Sequence, residues 1–170
     1  MNIPVTVKLS PFLTTLPHFL ARAFKAGAEG FVLFNRYMQP TFDIESLEVD
    51  RIARLSTKAD LALPVRWIAI ASSQLKADFA LSSGVHSPED MVKAIMAGAN
   101  VTYVVSALLA NGVKYASRLL EGLNAWMDKN GYESVGKMLG TLRLDKIENP
   151  AAYERANYLR TLKSFDERVL

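Results

Sequence analysis

Four short apolar runs each end in small or polar residues that could do chemistry. Val5-Thr6-Val7 runs into Lys8, Phe31-Val32-Leu33-Phe34 runs into Asn35, a third run closes on Ser82-Ser83-Gly84-Val85, and Val104-Val105 leads to Ser106-Ala107. An ammonium stabilises negative charge, and a carboxamide offers both a donor and an acceptor. A turn of small residues before a helix lets an anion approach backbone N–H groups. In a parallel α/β protein the carboxyl ends of the strands converge on one face, so Lys8, Asn35, Gly84 and Ser106 are expected to touch one ligand.

The elements that would position these groups are legible along the chain. Ile3 to Leu9 is a β-branched run stopped by Pro11, which suits a strand. Leu16, Phe19, Leu20, Ala23 and Phe24 fall at helical spacing, with Thr14 or Thr15 as cap, Pro17 in the first turn and Gly27 at the end. Gly30 to Phe34 is apolar at nearly every position, as expected of a strand covered on both faces. From Arg36 to Pro64 the pattern weakens into a long connection, either a lid or a surface excursion, in which Phe42 to Glu45 alternates like a short exposed strand. Val65 to Leu75 reads either as a helix with Trp67, Ile68 and Ala71 on one face or, over Val65 to Ile70, as a strand, and the helix is favoured because the strand expected at Asp78 to Leu81 needs a crossover before it. Ser87-Pro88-Glu89-Asp90 is a helix start with a Ser cap, Pro in the first helical position and a carboxylate three residues after the cap. Gly98 ends that helix, Val101 to Val105 reads as the last strand, and a helix is expected from about Val113 to Lys129. Gly131, Gly136 and Gly140 punctuate a shorter helix, and Asn149-Pro150 starts a final one over Ala151 to Lys163. The expected order is four strand–helix units over residues 1–130, followed by a helical tail over 131–170 that packs on them.

Composition narrows the function classes. The chain has 170 residues, half of them apolar and 22% charged, the profile of a domain that can bury a core. Its twenty Lys and Arg are scattered among seventeen Asp and Glu, without a basic block or interleaved aromatics, so nucleic acid is not an expected partner. With no cysteine, disulfides, thiolate metal sites and a Cys nucleophile are excluded for this chain, and with only His18 and His86 so is a multi-histidine metal site. The longest apolar stretch falls short of the ~18 residues that a membrane span requires, and the N-terminus carries no signal-peptide pattern. The expectation is a cytoplasmic protein without a membrane partner.

The motifs together resemble a family. Val5-Thr6-Val7-Lys8-Leu9-Ser10-Pro11, Leu33-Phe34-Asn35-Arg36, Ser82-Ser83-Gly84-Val85 with Glu89-Asp90, and Ala97-Gly98-Ala99 leading through Val104-Val105-Ser106-Ala107-Leu108-Leu109 are similar to the C-terminal half of a dihydroorotate dehydrogenase-like flavoprotein, of the kind that forms a TIM barrel around FMN. The resemblance implies an α/β fold in which the four strands are the fifth to eighth of a (β/α)8 barrel. A whole barrel takes about 250 residues, more than this chain has.

By that resemblance Lys8 lies beside the flavin ring, where an ammonium favours the reduced, anionic flavin. Asn35 hydrogen-bonds the pyrimidine substrate, a dihydroorotate-like cyclic imide. Ser83, Gly84, Ser106 and Ala107 belong to the two turns that hold the FMN phosphate. The first of those turns usually has paired glycines, and here Ser82-Ser83 stands before a single Gly84. Arg36 either contacts substrate or caps its strand. His86 helps cap its helix or packs there, His18 is structural, and the aromatic final helix with Tyr153, Tyr158 and Phe165 is a docking surface for the barrel or a second subunit.

The catalytic base of the family, a Cys or Ser on the loop after the fourth strand, has no counterpart in this chain. The activity implied, oxidation of dihydroorotate to orotate in pyrimidine biosynthesis, would therefore need an N-terminal half-barrel as partner. Two other readings stay open: a non-enzymatic half-barrel that self-associates as a homodimer, and another phosphate-binding TIM-barrel protein.

Overall fold

A computed structural model of the chain describes residues 3–36, 40–50 and 54–155. Four strands form one parallel sheet: β1 (Thr6–Leu9), β2 (Gly30–Leu33), β5 (Asp78–Ser82) and β6 (Val101–Tyr103), in the spatial order β1-β2-β5-β6. A two-stranded antiparallel hairpin, β3 (Thr41–Asp43) and β4 (Glu48–Asp50), stands apart from it. The helices are α1 (Leu16–Lys25), α2 (Ala62–Gln74), α3 (Pro88–Ala97), α4 (Ser106–Asn111), α5 (Tyr115–Lys129), α6 (Val135–Met138) and α7 (Pro150–Arg155). A 3₁₀ turn over Lys58–Leu61 runs directly into α2.

Strand alternation sorts side chains onto two faces. In register, Val7, Phe31 and Phe79 form one row and Leu9, Leu33 and Leu81 the next, and both face the helices. There they meet Leu16 and Leu20 of α1, Ile68 and Ala71 of α2, Met91, Val92 and Ile95 of α3, and Leu119, Leu123 and Met127 of α5. The Phe31 and Phe79 rings lie 6.0 Å apart at a tilt of 33°, within the range favoured by aromatic pairs. β2 is buried at all four positions, as its unbroken apolar run foretold. α5 sits down on the start of α3 because Gly122 has no side chain, and a Cβ there would lie 2.2 Å from Cγ of Pro88.

The opposite face is less covered. Its central positions Val32 and Ala80 are buried, but Thr6 and Lys8 on β1 are exposed, and Val101 and Tyr103 on β6 remain 50% and 48% exposed. Among the described residues β1 and β6 each pair on one side only. Four parallel strands covered by helices on one side, with two open edges, make a partial TIM barrel rather than a closed one.

The elements agree with the sequence reading apart from their ends and two additions, β4 and α4. The first strand begins at Thr6 rather than Ile3 and the last stops at Tyr103 rather than Val105. The helix expected from Val65 starts at Ala62, continuing the 3₁₀ turn, with Pro64 tolerated in its first turn. Gly112, with φ of +81°, separates α4 from α5, so the segment after Ser106 is a helix of its own. The expected exposed strand at Phe42 to Glu45 is present as β3, but its partner β4 is an addition. The part of the final helix beyond Arg155, with Tyr158 and Phe165, lies outside the described residues. Residues 131–144 pack closely on the strand–helix body, where Met138 is fully buried and Leu144 N–H donates to the Ala69 carbonyl at 3.0 Å.

Candidate functional site

The carboxyl ends of the sheet strands are tied to one another. Asn35 N–H donates to the Leu9 carbonyl at 2.6 Å and Phe34 N–H to the Ser82 carbonyl at 3.3 Å, which carries the ladder past β2 and holds Asn35 level with the end of β1. Beyond these ends opens a cavity of about 230 Å³. Lys8 from β1, Asn35 and Arg36 after β2, Ser83 and Gly84 after β5, and Ser106 at the start of α4 all line it. Of the six residues singled out from sequence, five therefore meet at one place. Ala107 is the exception: its side chain is fully buried and is not part of the lining.

The turn after β5 is built from two consecutive residues of positive φ, Ser83 at +89° and Gly84 at +81°. Glycine adopts this conformation freely and a residue with a Cβ does not, which gives a physical reason for the paired glycines usual at such a turn. The space beside Gly84 is taken by protein rather than left open. A Cβ there would lie 2.2 Å from N and 2.5 Å from Cα of Leu61, so the missing side chain lets the 3₁₀ turn dock against the β5 loop.

That docking brings in the residue the sequence reading missed. Ser56, only 8% exposed, lies against both turns. Its N–H and its hydroxyl donate to Ser106 Oγ at 2.9 and 2.8 Å, Gly84 N–H reaches its Oγ at 3.4 Å, and His86 Nε2 lies 3.4 Å from the same oxygen. The signal available was the Thr57-x-x-Asp60 cap ahead of the apolar run of α2, which marks a fixed turn one residue after Ser56. The Asp60 carboxylate accepts from Thr57 N–H at 2.7 Å and Thr57 Oγ1 at 3.0 Å. The backbone donor at Thr57 holds the Asp60 carboxyl below the usual carboxylate range. Tyr103 and Val105, also in the lining, were read only as part of a strand.

The start of α3 repeats this device. Asp90 accepts from the N–H groups of His86 and Ser87 at 3.0 and 2.9 Å, so a carboxylate only 5% exposed is paired with donors at a helix N-terminus. His18 is exposed on α1 and takes no part. The Arg36 guanidinium, part of the cavity lining, donates to the Arg54 carbonyl.

The comparisons with known proteins bear on this geometry. No family model matches the chain. The catalytic subunit of dihydroorotate dehydrogenase B (NAD(+)) from Methanosarcina acetivorans is 31% identical over 143 residues, which cover 82% of this chain and 46% of that protein. Dihydroorotate dehydrogenase A (fumarate) from Lactobacillus helveticus is 25% identical over 146 residues, 84% of this chain and 47% of that one. The chain is a partial dihydroorotate dehydrogenase-like protein. It spans about half the length of the curated relatives it matches. The crystal structure of DHODH from Eimeria tenella in complex with ferulenol superposes with a TM-score of 0.64 at 22% identity, covering 81% of this chain and 38% of that one. That likeness concerns the fold, and the partial barrel of the dihydroorotate dehydrogenase-like chain agrees with it.

The donor set fits an anion. Lys8 and Arg36 supply positive charge, Ser56, Ser83 and Ser106 supply hydroxyls, and among the described residues no carboxylate lines the cavity. The volume, about 230 Å³, falls below the ~300–1,000 Å³ of a pocket that encloses a whole small ligand. Among the described residues no group of three acidic or histidine side chains could hold a metal ion, and no helix is long and apolar enough to cross a membrane.

Proposed function

We propose that the chain supplies the phosphate grip and one side of the flavin and substrate contacts in an FMN-dependent oxidoreductase of the dihydroorotate dehydrogenase type. The observation that carries this reading is the meeting of Lys8, Asn35, Ser83, Gly84 and Ser106 at one cavity whose lining, among the described residues, is rich in donors and free of carboxylates. Ser83, Gly84 and Ser106, with the backbone of Ala107, hold the phosphate. Lys8 reaches the flavin ring from the end of β1, and its ammonium stabilises negative charge there. Asn35 presents its carboxamide to the complementary donor and acceptor edge of a cyclic imide such as dihydroorotate. When bound, FMN accepts the hydride that oxidation of such a substrate releases. The residue that removes the substrate proton comes from a partner, a complementary half-barrel that seals β1 and β6.

The test is direct. Purified chain, alone and mixed with candidate N-terminal halves, is examined for yellow colour and for quenching of FMN fluorescence, and retained flavin in the mixture is the expected result. No flavin under either condition would remove the reading.

The half-exposed Val101 and Tyr103 and the two open strand edges favour a second reading, in which two copies close on each other without chemistry. Light scattering separates the two. A stable homodimer that takes up no flavin supports self-association.

A further inference from the structure

At the cavity wall, Ser106, Ser56 and His86 form a hydrogen-bonded chain. Ser106 Oγ accepts from the Ser56 N–H and from the Ser56 hydroxyl. A hydroxyl oxygen has two acceptor positions and one proton to give. Both positions on Ser106 are filled, so its own proton is left for the cavity that Ser106 lines. Ser56 Oγ is approached in turn by Gly84 N–H and by His86 Nε2. When Nε2 carries a proton, both acceptor positions of Ser56 are filled as well, and its hydroxyl proton goes to Ser106. When Nε2 presents its lone pair instead, Ser56 donates to His86, Ser106 is free to turn back towards Ser56, and the cavity loses a donor.

His86 is held for this from both sides of its backbone. Its N–H donates to the buried Asp90 carboxylate at 3.0 Å, and its carbonyl accepts from Tyr115 Oη–H of α5 at 3.0 Å. Capping alone needs only that N–H, and leaves the approach of the ring to a buried serine unexplained.

We propose that His86 is a positioning residue for the anion site: by donating from Nε2 to Ser56 it sets the polarity of the Ser56–Ser106 chain and aims the Ser106 hydroxyl proton at a bound phosphate oxygen. The proposal rests on the reading above that the cavity takes the phosphate of FMN.

The test uses the full chain, with its complementary half if flavin uptake requires one, and fluorescence titration with FMN and with riboflavin, which has no phosphate. His86→Ala should weaken FMN binding about tenfold, the scale of one hydrogen bond to a charged group, and leave riboflavin binding unchanged. His86→Gln, whose amide N–H can donate to Ser56, should stay within about threefold of the parent. In a Ser56→Ala background, His86→Ala should cost nothing further, because its effect runs through that hydroxyl. Equal losses for FMN and riboflavin, or additive losses in the double variant, would overturn the role of His86 and leave the phosphate reading standing. A parent chain that binds no FMN with or without its complement would overturn both.

Discussion

Ser83 is the residue at which local conformation and site chemistry conflict most openly. Its φ of +89° sits beside the +81° of Gly84, in a region where a Cβ costs roughly 1 kcal/mol or more. Ser83→Gly should therefore stabilise the chain by roughly 1 kcal/mol, read as a higher urea midpoint with an unchanged slope. Gly84→Ala should act in the opposite direction, because the added carbon would strike the Leu61 backbone as well as strain φ. A loss of about 2 kcal/mol or more is expected in the same measurement, and a neutral result would mean that the 3₁₀ turn does not dock there. Lys8 makes no such structural contribution, being exposed at the end of an edge strand. Lys8→Met should leave the melt unchanged while weakening flavin binding and lowering the midpoint potential of any bound flavin, since reduction adds negative charge that the ammonium would otherwise stabilise. A potential that does not move would take Lys8 away from the ring.

Among the elements, the segment from Arg54 to Leu61 decides most about the site and was the hardest to read. It lacks an apolar period, and it is ordered by contacts to residues 28 to 50 positions further on, Gly84, His86 and Ser106. Its local anchor is the Thr57–Asp60 pair. Because the Asp60 carboxyl is held below its ordinary value by the Thr57 N–H, its contribution to stability is present above about pH 4 and is lost as pH falls through the lowered value. Acidification below about pH 4 should loosen this turn, and Asp60→Asn should remove the pH dependence at a cost of about 1 kcal/mol, typical of a lost cap. Amide exchange of residues 57–61 as a function of pH measures both. If protection in this turn is the same at pH 3 and pH 6, the cap does not hold it. The strands and long helices were legible because each announces itself locally: β2 by its unbroken apolar run, α3 by Ser87-Pro88-Glu89-Asp90, and α5 by its leucines at helical spacing. Boundaries were less so, since the end of β6 and the break at Gly112 depend on what packs against them.

For the whole molecule the uncovered part of the sheet matters most. Helices cover one face, while Thr6, Lys8, Val101 and Tyr103 leave the flanks of the other exposed, and β1 and β6 present unpaired edges among the described residues. Exposed parallel edges of this kind pair with another chain or aggregate. Light scattering of the purified chain should give a mass above that of a monomer, and addition of a complementary four-stranded half should convert it to a one-to-one complex that retains FMN. A monomer with a single cooperative melt that ignores the added half would refute this.

The four strands of the parallel sheet and the helix start at Ser87-Pro88 follow from the sequence alone, because β-branched runs, caps and glycine stops act over a few residues. That the ammonium of Lys8, the amide of Asn35 and the hydroxyl of Ser106 share one cavity follows from parallel topology, which can be argued from the pattern but is settled only by strand order and register. Only the tertiary structure decided that Ser56 joins that cavity's lining with His86 beside it and that Gly84 gives way to Leu61. Those contacts join segments far apart in the chain, and hydrogen bonds and close packing between distant segments leave no periodicity in the sequence to read.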